Sequence, residues 1–297
     1  MPDPFHARLQ VPVAGGALGV AVAGPASGRP VVLAVHGLAA THRWWGPVAR
    51  HLGDDVTLVA ADLRGRGASA DLPGPFGLAA HVDDLLAVLD HLGVVSAVLA
   101  GHDLGAHVVA GLAGRRPERA AALVLVDGGL PLPVLPDATD PEAVFGPSLD
   151  RVRRTFASRH DHVSWWRRHP AFGDEGAWTE ELEAALADDL VGTAPALRPA
   201  VAEKAVGHDG RELLGDDAVR TTLARAGTAG VLLRAPRGVG DGDPLLLPDP
   251  LVAEWVATTP GLVEEVVPDT NHSRILVGDR EAATVAERIR RAAGLGG

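Results

Sequence analysis

The sequence contains no cysteine, which excludes disulfides, thiolate metal sites and a thiol nucleophile. It contains no tyrosine either, so no phenol is available to hold or protonate a leaving group. Basic residues are scarce. The 27 Lys and Arg against 38 Asp and Glu give a net charge of −11, a poor match for nucleic acid, whose phosphates need a basic surface. No apolar stretch reaches the roughly 18 residues of a membrane-spanning helix. The opening residues, from Met1 to His6, lack the basic-then-apolar pattern of a secretion signal. The expectation is a cytoplasmic protein acting on a small molecule, with no nucleic-acid or membrane partner, no metal and no cofactor. A homodimer is an open alternative. What the chain does have is length: 297 residues, 46% of them hydrophobic, suffice for a large unstapled core.

Short β-branched runs alternate with helical patterns through the first third. Val31 to Val35 reads as a buried strand ending in His36-Gly37, and Val56 to Ala60 as a second ending near Asp62. Val82, Leu85, Leu86 and Leu89 fall at helical spacing between Leu78 and Leu92, with Gly93 as a stop. Ala97 to Ala100 and Ala122 to Val126 are further strands, separated by a helix from Ala106 to Ala113. This rhythm predicts an α/β fold with a parallel sheet covered on both faces. It breaks in the proline-rich stretch after Leu130. Residues 131–222 are expected to form an inserted helical cap, with 1–130 and 223–297 as the core. Strands at Gly230 to Arg234 and Val263 to Val267, then a helix from Arg280 to Ala293, complete that core.

The most informative segment runs from Ala97 to His107: a strand, then Gly101-His102-Asp103-Leu104-Gly105, then a helix. Glycines two before and two after a central residue allow a turn so sharp that the side chain of Asp103 stands above the sheet, at a helix start that favours negative charge. The segment resembles the nucleophile elbow of the α/β-hydrolase superfamily, with aspartate where most members carry serine. The resemblance extends over nearly the whole chain. His36-Gly37 matches the strand end that supplies part of the oxyanion hole, Asp62 to Ser69 the glycine-rich turn after the next strand, and Asn271-His272-Ser273 the late catalytic histidine. It implies an α/β-hydrolase fold, a mostly parallel sheet flanked by helices with an inserted cap.

An aspartate is already ionised at neutral pH and attacks without a base, which suits displacement at saturated carbon. The histidine is then free to activate water against the covalent ester. The resemblance therefore points to the aspartate-nucleophile branch, epoxide hydrolases and dehalogenases, with Asp103 as nucleophile and His272 as base. The backbone N–H groups of Leu38 and Leu104 are the expected oxyanion donors. The acid partner of His272 is either Asp243, which its neighbour Asp241 could replace, or Asp127 at the end of the Leu123–Val126 run. The loop from Ala235 to Pro248 is longer and richer in glycine and proline than the family pattern.

The familiar epoxide hydrolases hold the epoxide oxygen with two cap tyrosines, which this chain lacks. Trp165 and Trp166 offer indole donors instead, with packing of the cap as the plainer reading of the pair. His36 is grouped with them as a substrate-side residue, although its position also matches the scaffold, as do those of His102 and His107. Dehalogenases often carry tryptophan directly after the nucleophile, where this chain has Leu104, and residues 104–107 hold no arginine for a fluoroacid carboxylate. An epoxide is thus expected ahead of a halide. The tryptophan pair also resembles an epoxide hydrolase subgroup of aromatic polyketide biosynthesis, which implies a bulky substrate. Two other readings stand beside the enzyme: a non-catalytic ligand-binding protein on this fold, and an esterase-like protein inactivated by the aspartate.

Overall fold

The computed structural model describes residues 3–131, 141–173, 178–215, 228–240 and 243–296. Eight strands form one mixed sheet in the order β1-β2-β4-β3-β5-β6-β9-β10. They are β1 (Ala7–Val13), β2 (Gly16–Ala23), β3 (Val31–Val35), β4 (Thr57–Ala61), β5 (Ala97–His102), β6 (Ala120–Val126), β9 (Gly230–Arg234) and β10 (Leu262–Val266). β2 runs antiparallel to both its neighbours; from β4 onward all pairings are parallel.

The side-chain alternation of a strand explains why both faces are buried. Leu33, Leu99, Leu123 and Leu125 belong to the core on one face, and Val32, Val98, Val124 and Val126 to the core on the other. Helices α2 (Leu78–His91) and α3 (Leu104–Arg115) cover the first face. The second is covered by α1 (Gly46–Leu52) and by the last helix, α9 (Asp279–Ala292). The latter buries Ala282, Val285, Ala286 and Ile289 on one side, and Ile289 alone is worth about 1.5–3 kcal/mol. Its Asp279 and Glu281 in the first turn and Arg290 and Arg291 in the last suit the helix dipole.

β1, β2 and a helix, α8 (Asp249–Thr258), extend the fold beyond the elements expected from the sequence. β1 buries only Val11 outright, and β2 is built mainly of glycine and alanine, so neither carries a strong apolar run. Between β6 and β9 the chain forms α4 (Pro141–Arg153), α5 (Arg159–Arg167), α6 (Glu180–Ala187), a minimal hairpin of β7 (Leu190–Val191) and β8 (Arg198–Pro199), and α7 (Glu203–Gly215). We call this segment the insert. It occupies the stretch where a cap is expected at 131–222, and residues 132–140 and 216–227, which bear on both borders, lie outside the described residues. No helix is long and apolar enough to cross a membrane among the described residues.

Candidate active site

The ends of β3, β5 and β6 lie side by side in the sheet, and the residues just past them make the floor of the site. Asp103 follows β5 and caps α3, with φ 52° and ψ −120°. An L residue tolerates this backbone only where its surroundings hold it. Close approach at the flanking glycines does so. A Cβ on Gly101 would lie 2.3 Å from the Gly105 carbonyl oxygen, and one on Gly105 would lie 2.1 Å from that of Val35. Only glycine at both positions lets α3 start tight against the sheet.

The carboxylate of Asp103 divides its two oxygens. Oδ2 accepts from the Leu38 N–H at 2.8 Å, while Oδ1 faces His272 Nε2 at 3.9 Å, too far for a direct hydrogen bond. Burial alone would raise the pKa of Asp103. The charge of His272, the largest opposing cause, and the Leu38 N–H outweigh it and hold the carboxyl below its usual range.

His272 Nδ1 donates to Asp127 Oδ2 at 2.8 Å. Burial disfavours the imidazolium, but the bond to Asp127 and the negative charges of Asp103 and Asp127 raise the pKa above the ordinary histidine value. Asp127 is itself pinned. It sits just past β6 at φ 44°, its N–H donates to the Leu233 carbonyl at 2.8 Å, and its Oδ1 accepts from the Ala235 N–H at 2.9 Å. A Cβ on the next residue, Gly128, would lie 2.5 Å from the Asp103 carbonyl oxygen. The glycine pair after Asp127 therefore lets this strand end pass beneath the elbow.

Asp243, the other acid considered, is not brought to His272. Its Oδ2 accepts from the Gly240 N–H at 2.8 Å and its own N–H donates to the Gly240 carbonyl at 3.1 Å, so the carboxylate closes a turn of its own loop. Asp241 lies outside the described residues. The same long loop still serves the histidine, since the His272 N–H donates to the Gly238 carbonyl at 3.0 Å.

Three further histidines surround the floor. His36 is fully buried and both its ring nitrogens are taken by backbone. Nε2 accepts from the Leu63 N–H at 3.0 Å, so Nδ1 carries the proton and donates to the Gly37 carbonyl at 2.8 Å. With nothing left to offer a ligand, it is a brace between two strand ends and not a substrate contact, and burial drives its pKa down to about 4. His102 donates from Nε2 to the His272 carbonyl at 2.9 Å and stacks on the His272 ring at 4.7 Å between centroids. Burial, and then the charge of His272, lower it to about 4, so it supports the second histidine as a neutral ring. His107, on the first turn of α3, is buried near enough to feel the charge of Asp103. The polar turn around His272 carries a signal that the sequence does show. Asn271 Oδ1 accepts from the N–H groups of Ser273 and Arg274, and its Nδ2 donates to the Ala171 carbonyl of the insert.

The two tryptophans differ. Trp166 is buried among Trp44, Phe172 and Trp165, and its indole N–H donates to His162 Nε2 at 3.1 Å. That donor is spent inside α5, which corrects its expected substrate role. Trp165 is half-buried beside Phe156 and His169, and its N–H has no partner among the described residues.

A buried cation ties the floor to the insert. Arg66, fully buried, donates from Nε and Nη2 to the Leu38 carbonyl at 3.1 and 2.9 Å and pairs through Nη1 with Asp209 of α7 at 2.6 Å. Nothing in the sequence reading anticipated this role, although Arg66 stands within the glycine-rich turn. Among the described residues, His208, Asp209 and Glu212 have the spacing of metal ligands. Their carboxylates are already engaged: Asp209 by Arg66, His81 and the Gly77 N–H, and Glu212 by the Leu78 N–H.

Comparison with known proteins bears on the fold that carries this site. Residues 30–165 match a family model described as alpha/beta hydrolase fold. The crystal structure of E-2-(acetamidomethylene)succinate hydrolase superposes with a TM-score of 0.78 at 20% identity, covering 94% of this chain and 96% of that one. A thermophilic esterase from Thermogutta terrifontis does so with a TM-score of 0.67 at 21% identity, covering 96% and 99%. The chain has the α/β-hydrolase fold. Among curated proteins it is similar to the putative carbamate hydrolase RutD of Caulobacter vibrioides, 39% identical over 106 residues, and to the lipase LipV of Mycobacterium tuberculosis, also 39% identical over 106 residues. These matches cover 35% and 36% of this chain but only 39% and 40% of those proteins. They are matches of part to part.

Proposed function

We propose that this α/β-hydrolase-fold protein is a hydrolase that opens an epoxide through a covalent ester on Asp103. The observation that carries the reading is the divided carboxylate, with Oδ2 on the Leu38 N–H and Oδ1 turned toward His272. Oδ1 attacks an epoxide carbon, the carbon–oxygen bond breaks, and the ring oxygen leaves as an alkoxide that takes up a proton. Oδ2 becomes the ester carbonyl oxygen, already seated on a backbone donor. His272, oriented by Asp127, then takes a proton from water, and the water oxygen attacks the ester carbonyl carbon. The developing oxyanion on Oδ2 stays on the Leu38 N–H, with that of Leu104 as the second donor. The bond to the diol product breaks as the proton on His272 passes to the departing oxygen. The carboxylic acid left on Asp103 releases its proton to solvent, replacing the one taken up by the first alkoxide. A haloalkane would follow the same two steps, with halide in place of alkoxide.

The names of the curated relatives favour a second reading, cleavage of an ester or amide. Against it stands the charge of Asp103, which already occupies the donor that an acyl oxyanion would need. Such a reaction would recast Asp103 as a general base for water.

His272→Gln separates these possibilities. With an epoxide panel, the variant should accumulate an adduct equal in mass to the whole epoxide, mapped to Asp103, while turnover falls by at least about 10³-fold. With haloalkanes the adduct should equal substrate minus hydrogen halide. Asp103→Ala should abolish both adduct and turnover. A wild-type protein that turns over a substrate, paired with a His272→Gln protein that never forms an adduct in a single turnover, would favour direct attack by water.

A further inference from the structure

Two opposite charges lie buried where the insert meets the loop that follows β3, and each has a polar atom without a partner. Arg151 of α4 is 3% exposed and Asp189, just before β7, is 2% exposed. Arg151 Nη2 donates to the Ala39 carbonyl, and its guanidinium lies over the Trp166 ring at 5.3 Å. Asp189 Oδ1 accepts from Thr41 Oγ1 at 2.9 Å. Nη1 of Arg151 and Oδ2 of Asp189 have no hydrogen-bond partner, and the two side chains form no ion pair with each other among the described residues. Each nevertheless feels the other's charge. Buried polar atoms are normally paired, because an unpaired one forfeits its hydration without return.

Both residues hang on the short stretch from Ala39 to Thr41, directly after Leu38, whose N–H holds Asp103. Three residues of extended chain span at most about 10 Å, so the pair stands within the length of a small substrate from the nucleophile. We propose that Arg151 and Asp189 form a recognition site for the remote end of the substrate, taking a neutral group that presents a hydrogen-bond acceptor and a donor side by side, as a primary amide does. The proposal rests on Asp103 being the point of attack.

Charge and donor inventory select the ligand class. Arg151 has only donors, and an ionised Asp189 has only acceptors. Burial pushes Asp189 up to about 6 against the opposing charge of Arg151, so near neutral pH the two charges nearly cancel. A carboxylate ligand would gain from Arg151 and be repelled by Asp189. A neutral amide satisfies Nη1 with its oxygen and Oδ2 with its N–H.

Benzamide and acetophenone are nearly the same shape and differ in the N–H donor. Tryptophan fluorescence of the intact protein, with Trp166 beneath Arg151 as the reporter, measures their binding without turnover. Wild type should bind benzamide at least tenfold more tightly than acetophenone. Asp189→Leu should bring that ratio close to one, whereas Arg151→Met should weaken both ligands alike. If Asp189→Leu melts early, Asp189→Asn, which puts a donor beside the same acceptor, should lower the ratio in its place. Equal affinities in wild type, or a ratio unmoved by the Asp189 variants, would overturn the proposal and leave water as the occupant. Benzamide should also compete with substrate, and binding without competition would overturn it too. Failure of the Asp103 reading is visible separately, as absence of the adduct, while the fluorescence ratio stays measurable.

Discussion

The floor and the roof of the site are built on different principles. On the floor, strand ends and glycines place every group, and backbone takes up its hydrogen bonds: Leu38 on Asp103, Ala235 on Asp127, Gly37 and Leu63 on His36. In the roof, long side chains of the insert do the positioning through ring contacts and reaching guanidiniums, and some polar atoms are left over. Backbone-placed groups are rigid, which suits bond-making steps that tolerate little misplacement. Side-chain-placed groups can vary without disturbing the sheet, which suits discrimination between substrates.

The sharpest way to break this contrast is to exchange carboxylates. Asp127→Asn on the floor should lower turnover by about 10³–10⁴-fold and let the ester accumulate, because the amide no longer fixes the tautomer of His272. Asp243→Asn, whose carboxylate only closes a turn of its own loop, should stay within about threefold of wild type. Steady-state and single-turnover kinetics on the same substrate check both. Equal losses would mean that the long loop matters to the chemistry as much as the strand end does.

Acid should strike floor and roof together. His36, His102 and His107 on the floor and His162 in the roof each have a pKa lowered to about 4, with burial as the leading cause. Unfolded, each takes up a proton near its ordinary 6.5. Between those values the unfolded chain holds more protons. Stability is therefore fully present above pH 6.5 and falls as the pH drops toward 4, by on the order of 3 kcal/mol per histidine. Urea midpoints should decline steadily from pH 7.5 to pH 4.5. A flat profile would mean that the rings are not held neutral.

The smallest effects separate the tryptophans. Trp166→Phe loses the bond to His162 and part of the packing, and should cost about 1–2 kcal/mol in urea unfolding. Trp165→Phe should leave stability unchanged, and if its free N–H meets the departing oxygen, it should slow ester formation about tenfold. An effect of Trp166→Phe on ester formation at full stability would reverse the two assignments.

The floor was legible in the sequence where local sterics dictate it. Gly101 and Gly105 announce the elbow because no other residue fits there, and the strand runs of β3, β5 and β6 stand out because both their faces are buried. The place of Asp127 was harder to read. Its distinguishing mark, the Gly128-Gly129 that follows, takes on meaning only once Gly128 is seen against the Asp103 carbonyl. Asp243 drew attention by its place after β9, but a loop rich in glycine and proline had enough freedom to fold the carboxylate back on Gly240. The roof was least legible. That Trp166 spends its N–H on His162, four residues earlier in α5, and that Arg151 reaches Ala39 across 112 residues, depend on helix phase and tertiary packing.

The arginine that joins floor to insert also limits how the insert can move. Arg66 holds the Leu38 carbonyl with one edge and Asp209 with another, all in the dry interior, and separating such a pair would strand two charges out of water at a cost of about 3–5 kcal/mol. α7 is thereby riveted to the sheet. Any displacement of the insert that carried α7 with it would therefore have to break this buried pair.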